Sequence, residues 1–294
     1  MDRRQFFITS ATVAAGGMPT NGPRAESAKE PKEFIGVLVD TTRCIGCRSC
    51  EVACSVANGN FVPDVKTDNA LAQVRDTSEK QYTVVNRFNT EKGEVYVKRQ
   101  CMHCWQAACV AMCLVNAMFK TKEGPVTWNG DKCLGCRFCM VACPFDIPKA
   151  EYLSWNPRIM KCTMCYERLQ EGKRPACVEA CPTDTLMFGQ KRELMEIARH
   201  RVYSHPDKYV HKIYGEHEAG GTGWLYLSAV PFEQLGFRTD LGTTPYPEYT
   251  KPFLVSVPLV LFGVPALLLG LSELTDRKKE VRESEGWTEP GASE

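Results

Sequence analysis

Residues 133–144 read CLGCRFCMVACP, and this stretch decides the fold. Its cysteines follow the spacing C-x2-C-x2-C-x3-C with a proline directly after, which is the spacing of a run that binds [4Fe–4S] clusters. In such a run three cysteines surround one cluster and the fourth reaches a neighbouring cluster. The stretch therefore predicts a small domain built around a pair of clusters.

The whole chain has sixteen cysteines, and they fall into four groups of four with none left over. The first group is Cys44, Cys47, Cys50 and Cys54; the second is Cys101, Cys104, Cys109 and Cys113; the third is Cys133, Cys136, Cys139 and Cys143; the fourth is Cys162, Cys165, Cys177 and Cys181. Four complete groups predict four [4Fe–4S] clusters as cofactors, and four clusters in one chain indicate electron transfer.

Other uses of cysteine are alternatives to this interpretation. Disulfide scaffolds are usually short chains with dispersed cysteines. A zinc ribbon needs two separated C-x2-C pairs rather than a triplet followed by a fourth cysteine. A third alternative is that one group, with the second as the candidate, is structural and holds no cluster.

Length, charge and motifs exclude several classes of function. The chain has 294 residues, enough for two modest domains with extensions, and its net charge of +1 gives no sign of a nucleic-acid partner. It has no GxGxxG after a strand, no P-loop and no HExxH motif. The sequence thus favours an electron-transfer protein that is not itself an enzyme, with a catalytic enzyme and a purely structural metal-binding module as the other hypotheses.

The N-terminus predicts export. Arg3 and Arg4 form a twin-arginine pattern before a weakly apolar stretch at residues 6–18. We expect residues 1–28 to be a twin-arginine signal region, because that route carries folded proteins and the clusters must be built before export. An ordinary amphipathic helix is the alternative.

The C-terminus predicts a membrane anchor. Residues 252–272 carry no charge and are long enough to span a hydrocarbon core of about 30 Å. Basic residues are denser after this span than before it, which favours a cytoplasmic tail at residues 273–294. The cluster region would then lie on the periplasmic side of the bacterial inner membrane. A buried core helix is the alternative.

Strands, cluster loops and short helices alternate between the two ends. Residue patterns predict strands over 35–40, 81–90, 94–99, 125–128 and 185–188. Apolar residues at helical spacing predict a helix over 191–202. The repetition predicts an α+β fold with two duplicated ferredoxin-like dicluster domains, an N-terminal export signal and a C-terminal transmembrane helix.

Charged and polar residues near the cysteines carry smaller expectations. A basic residue precedes each group, at Arg43, Arg99, Lys132 and Lys161. A cation beside a cluster favours its reduced form, although a solvated strand end explains such residues equally well. We expect His103 to donate a hydrogen bond near a cluster rather than to ligate it. The histidines at positions 200, 205, 211 and 217 lack metal-binding spacing and are expected at the surface.

Three further runs carry a resemblance to a known family: QCMHC at 100–104, GCRFCMVACPF at 135–145 and PACVEACP at 175–182. With the four cysteine groups, they make residues 34–230 resemble the four-cluster ferredoxin-type electron-transfer subunits of membrane oxidoreductases. The resemblance is greatest to the iron–sulfur subunit of periplasmic membrane-bound [NiFe] hydrogenase of the hydrogenase-2 type. The beta subunits of respiratory formate dehydrogenase are also similar.

The resemblance implies which cysteines share a cluster, which spacing alone leaves open. The implied ligand sets are Cys44, Cys47, Cys50 and Cys181; Cys54, Cys162, Cys165 and Cys177; Cys101, Cys104, Cys109 and Cys143; and Cys113, Cys133, Cys136 and Cys139. The first dicluster domain would then comprise residues 34–65 and 155–190, and the second residues 92–154. Residues 191–250 would form an extension packed on both.

One group departs from the family pattern. The family usually has proline directly after the last cysteine of the second group and two residues before the third cysteine, where this chain has Leu114 and Ala107. All four thiols are present, so we expect a cluster there with looser backbone support.

The resemblance also implies partners. We expect a catalytic subunit on the periplasmic side and a quinone-reactive integral membrane subunit, with electrons passing between them along the four clusters. Hydrogenase is the leading catalytic partner, a molybdenum or tungsten enzyme such as formate dehydrogenase is the second, and a multihaem cytochrome is the third.

Overall fold

A computed structural model describes residues 33–67, 69–155 and 157–286 of the chain. The signal region expected at residues 1–28 lies outside these residues, as does the part of the expected tail beyond residue 286. The described helices are α1 (Ser49–Ala57), α2 (Ala108–Ala111), α3 (Phe138–Val141), α4 (Tyr166–Gln170), α5 (Ala176–Glu179), α6 (Lys191–Ser204) and α7 (Tyr246–Ser284).

The strands form one three-stranded sheet and three hairpins. They are β1 (Ile35–Asp40), β2 (Val84–Thr90), β3 (Gly93–Arg99), β4 (Met118–Lys120), β5 (Val126–Trp128), β6 (Lys149–Ala150), β7 (Ile159–Met160), β8 (Leu186–Gln190) and β9 (Trp224–Leu227). All five strands predicted from residue patterns are present within a few residues of their expected bounds, and the predicted helix is α6. The fold is therefore mixed α and β, as expected.

The central sheet has β1 in its middle, antiparallel to β8 and parallel to β9. Successive residues of β1 point to opposite faces of the sheet. Val37 and Val39 pack into the core cluster that contains cysteines of the second and fourth groups, whereas Leu38 packs against α6. The sheet thus separates the cysteine-rich side of the molecule from a helical layer made by α6.

Helix α7 is long and apolar. It contains the predicted span 252–272 and three prolines, at positions 252, 258 and 265. Its first turn is half-buried, and from Tyr249 onward every residue except the half-buried Ser256 is exposed. Within the part of the chain that the structure describes, it is the one helix long and apolar enough to cross a membrane.

A buried carboxylate connects α1, which carries two cysteines of the first group, to hairpin β2–β3. The Glu51 side chain is 1 % exposed. One of its oxygens accepts a hydrogen bond from the backbone N–H of Val85 and another from the Arg75 guanidinium at 2.6 Å. The other oxygen accepts from the Arg48 guanidinium at 2.8 Å. This network fixes α1 against the hairpin.

Replacing Glu51 by Leu should destabilise the protein, because it removes the shared acceptor of two buried donors, Val85 and Arg48, and of the half-buried Arg75. The expected cost is about 3–5 kcal/mol, typical of removing one partner from a buried ion pair. It would be measured as a lower midpoint of thermal unfolding in the cluster-loaded protein. Glu171→Leu, at an exposed pair with Lys173, is the matched control and should leave the midpoint unchanged. Equal midpoints for the two variants would contradict this role of Glu51.

Candidate metal centre

The loops of the first and third cysteine groups repeat one backbone conformation. Cys44 and Cys133 each follow a short 3-10 turn, and both have φ −76° and ψ 126°. Gly46 and Gly135 both have φ +70°, and the residue before each following helix is left-handed as well. Left-handed residues within such a loop turn successive backbone N–H groups toward its concave side, where they can meet an anion.

The second and fourth groups also resemble each other. Helix α2 starts after Ala107 (φ −74°, ψ 115°) and α5 starts after Pro175 (φ −55°, ψ 136°), so both preceding residues are extended. Ala107 therefore keeps the conformation that proline has in the fourth group. Leu114 is 82 % exposed and leaves the loop toward solvent. At Ala107, the first of the two departures from the family pattern, the backbone is thus similar to the one that the fourth group uses at Pro175.

The structure brings the sixteen cysteines together in four sets, each drawn from two groups. Set A is Cys44, Cys47, Cys50 and Cys181; set B is Cys54, Cys162, Cys165 and Cys177; set C is Cys101, Cys104, Cys109 and Cys143; set D is Cys113, Cys133, Cys136 and Cys139. Within each set the thiols act on one another electrostatically, as the pKa of one member of each shows.

Set C illustrates the effect most clearly. Burial raises the pKa of the Cys104 thiol well above its ordinary value, and Cys101, Cys143 and Cys109 raise it further. In set D, burial followed by Cys133, Cys136 and Cys113 raises the pKa of Cys139 to about 11. These are the combinations that the family resemblance implied. That each set ligates one cluster stays a prediction.

The surroundings of set C fit an iron–sulfur cluster. All four of its cysteines line one cavity, together with apolar residues that include Ala107, Val126 and Phe145. Across residues 33–67, 69–155 and 157–286, no three cysteine, histidine or carboxylate side chains lie close enough to share a single metal ion. The four thiols of set C thus share one largely apolar cavity, which suits a single iron–sulfur cluster.

Backbone N–H groups point at several of the sulfurs. The Sγ of Cys113 accepts from the N–H of Ala117 at 3.1 Å and of Met118 at 3.3 Å, and the Sγ of Cys162 accepts from the N–H of Met164 at 3.3 Å. Such bonds favour the thiolate that a cluster requires. All sixteen cysteines are free thiols rather than disulfides.

The four sets lie in a row. Besides the dominant effect of burial, Cys177 of set B raises the pKa of Cys50 in set A. Cys101 of set C does the same to Cys162 of set B, and Cys139 of set D to Cys109 of set C. Sets A, B and C also contribute cysteines to one core cluster, and sets C and D to another, which agrees with the order A, B, C, D.

The ends of this row reach the surface. Cys47 in set A and Cys136 in set D are exposed. Sets B and C lie between these two end sets. Ile45 and Leu134 flank the two exposed cysteines and are themselves more than half exposed. Each end of the row thus has an exposed cysteine with an exposed apolar residue near it.

The four basic residues expected beside the cysteines differ in their surroundings. Arg43 and Lys132 are exposed, and Arg99 forms an ion pair with Asp76 at 2.6 Å. Lys161 is buried, and its ammonium donates to the backbone carbonyls of Val126 and Cys162. The solvated interpretation therefore holds for Arg43 and Lys132 but not for Lys161.

Two further lysines were missed by sequence reasoning. Lys120 donates to the carbonyl of Cys104 at 2.9 Å, and burial lowers its pKa to about 8. Lys98 is 3 % exposed, and cysteines of sets A and B are among the groups that act on it electrostatically. Neither residue adjoins a cysteine in sequence, so no motif signals them.

His103 is buried, and its Nδ1 accepts a hydrogen bond from the N–H of Val126 at 2.9 Å. Burial, together with the charges of Lys161, Lys120 and Lys98, lowers its pKa well below the ordinary value, so the ring is neutral. With Nδ1 accepting, the proton is on Nε2, which has no hydrogen-bond partner among the described residues. His103 can thus donate from Nε2, and that it does so beside a cluster stays a prediction. The four other histidines expected at the surface are exposed.

Comparison with known proteins also indicates an iron–sulfur protein. Residues 93–191 match the family model of the 4Fe-4S dicluster domain. The chain is 44 % identical to a protein of Nitratidesulfovibrio vulgaris strain Hildenborough, over 97 % of this chain and 80 % of that one. It is 33 % identical to the hydrogenase-2 operon protein HybA of Escherichia coli O157:H7, over 94 % of this chain and 95 % of HybA.

A second branch of relatives is also similar. The iron–sulfur subunit of the nitrate-inducible formate dehydrogenase of Escherichia coli K12 is 33 % identical, over 68 % of this chain and 69 % of that subunit. The cysteine spacing and these similarities agree. The chain belongs to the family of 4Fe–4S electron-transfer subunits that includes HybA and the formate dehydrogenase iron–sulfur subunits.

Proposed function

We propose that this chain carries electrons along four [4Fe–4S] clusters between a catalytic [NiFe] hydrogenase and a quinone-reactive integral membrane subunit. The observation that carries the proposal is the row of four cysteine sets with an exposed cysteine at each end. A single row with two accessible ends suits a protein that receives electrons at one face and delivers them at another. The chain itself would perform no substrate chemistry.

In this proposal sets A, B, C and D are the four ligand sets. Sets A and B would form the first dicluster domain, built from residues 34–65 and 155–190, and sets C and D the second, built from residues 92–154. Each cluster, when bound, supplies one reversible electron-transfer site. The chain holds the thiolates in place, directs backbone N–H groups at their sulfurs and excludes water from sets B and C.

The position of α7 favours set D as the end nearest the membrane. The start of α7 lies against α2, the helix that carries Cys109 and ends just before Cys113. Tyr246, in the first turn of α7, also packs against the main core cluster. An anchor that leaves the molecule here would hold the second dicluster domain close to the bilayer. Set A would then face the catalytic subunit.

The membrane topology follows from the charges around α7. Basic residues between 277 and 282 follow the apolar span, and Lys251 alone lies just before it. The positive-inside rule then gives a cytoplasmic C-terminus and clusters on the periplasmic side. Export by the twin-arginine route, signalled by Arg3 and Arg4, would deliver the folded, cluster-loaded chain to that side.

The choice of hydrogenase rests on coverage. The similarity to HybA extends over nearly the whole of both chains, whereas the similarity to formate dehydrogenase subunits covers about two thirds. A formate dehydrogenase-like molybdenum or tungsten enzyme is the second candidate, since those subunits are equally identical within the matched region. Metal analysis of the complex purified from membranes by a tag on this chain distinguishes them. Nickel supports hydrogenase, and molybdenum or tungsten in its place contradicts it.

Replacing either of two cysteines that share a set should affect the same cluster, even when the two are distant in sequence. Cys181→Ser and Cys47→Ser are both expected to remove or convert the same cluster, because both side chains belong to set A. The measurement is electron paramagnetic resonance of the reduced complex, with iron content alongside. Cys165→Ser is the control. Cys165 belongs to set B, so its replacement should affect a different signal. Loss of different signals in the two set A variants would refute the sets.

Interrupting the row near the membrane should separate two activities of the complex. Cys139→Ser is expected to abolish or strongly reduce electron flow to quinone, because it breaks set D. Reduction of an artificial dye by the catalytic partner should be largely retained, because that reaction does not need the whole row. Undiminished quinone-linked activity in a variant shown to lack that cluster would count against the proposal.

A further inference from the structure

Lys98 is a buried cation with an unusual environment. It lies on β3 opposite Val85 of β2, and its side chain is 3 % exposed. The ammonium donates to Oε1 of Gln100 at 3.0 Å and lies 4.6 Å from the centre of the Trp224 ring. Placing an ammonium in such a site is costly unless negative charge is near it.

The surrounding side chains are held in fixed orientations. Nε2 of Gln100 donates to the Tyr226 hydroxyl at 2.6 Å, which leaves Oε1 of Gln100 directed at Lys98. The Tyr226 hydroxyl in turn donates to the backbone carbonyl of Lys98 at 2.8 Å. Gln100 and Tyr226 are both 1 % exposed. The ammonium is therefore positioned by a closed, buried network and not by a flexible surface contact.

No carboxylate balances this charge among the ion pairs of residues 33–67, 69–155 and 157–286. The titratable side chains that act electrostatically on Lys98 include those of Cys177, Cys50 and Cys162. Clusters held by these cysteines would supply the negative charge that a buried ammonium needs. Cys50 belongs to set A, and the other two cysteines belong to set B.

The local fold explains why Lys98 meets both sets. Tyr96, two residues earlier on the same face of β3, lies against Gly46 in the loop of set A. Trp224, under the ammonium, belongs to the core cluster that also contains Cys162 and Cys177 of set B. Lys98 thus stands at the junction between the first two sets of the row.

We propose that Lys98 is a positioning residue that raises the reduction potentials of the clusters held by sets A and B. A fixed positive charge in a poorly hydrated site stabilises the form of each cluster that carries one more negative charge. The step is the transfer of one electron, supplied by the catalytic partner, and no bond forms or breaks. The inference rests on the proposed function, because it requires clusters in both sets.

The test is a redox titration of the purified complex, followed by electron paramagnetic resonance, with signals assigned through the cysteine variants described above. Lys98→Met removes the charge and keeps the length of the side chain. It should lower both potentials enough to make reduction at least tenfold less favourable, which is about 59 mV for one electron. The set D cluster, at the far end of the row, should keep its potential. Lys98→Arg should keep both reduction potentials at their wild-type values, because arginine keeps the positive charge.

Lys92→Met is the matched control, because Lys92 is exposed at the turn of the same hairpin. It should leave all potentials unchanged. Gln100→Glu is a second test, and it retains Lys98. It places a carboxylate beside the ammonium, whose positive charge it offsets, so it should lower the reduction potentials of the same two clusters. This variant decides the matter if Lys98→Met fails to retain iron.

Two outcomes would overturn the inference in different ways. If the wild type holds four clusters and neither Lys98→Met nor Gln100→Glu lowers the potentials of sets A and B, Lys98 has no such role and the row of clusters stands. If the wild type shows no cluster in set A or set B, the inference and the proposed function fail together.

Discussion

A [4Fe–4S] cluster needs four thiolates around a volume much larger than a single ion, and this requirement governs how the polypeptide is arranged. In each set, three cysteines come from one group and the fourth from another group distant in sequence. Cys181 joins a loop that begins at Cys44, and Cys54 joins the loop of Cys162. Each cluster would therefore cross-link two segments, so that cluster binding and folding are coupled.

The rest of the fold serves this arrangement. Strand β1 leads into the first cysteine group, and β8 follows the last. The two strands pair antiparallel, which brings the two ends of the cysteine region together. The buried Glu51 network holds α1 in place, and α6 covers the opposite face of the sheet. The apolar core is shared with the cysteines themselves, since Cys101, Cys162 and Cys177 lie in the main cluster with Val37 and Trp224.

The sequence predicted what is local. Cysteine spacing identified the loops, alternation identified β1 and the β2–β3 hairpin, and lack of charge identified the apolar part of α7. It could not give what depends on tertiary packing. Spacing did not say which groups share a set, and proximity in sequence pointed to Arg43 and Lys132, which are exposed. Lys98 adjoins no cysteine in sequence, and only the folding of β3 against the loop of set A brings it there.

The central claim is that one chain holds four [4Fe–4S] clusters. Its most direct test is the iron and acid-labile sulfide content of the complex, corrected for the metal of the catalytic partner. The account predicts about sixteen iron atoms and as many sulfides per copy of this chain, four of each for every four cysteines. Zinc with little iron, or a sulfide content near zero, would contradict it.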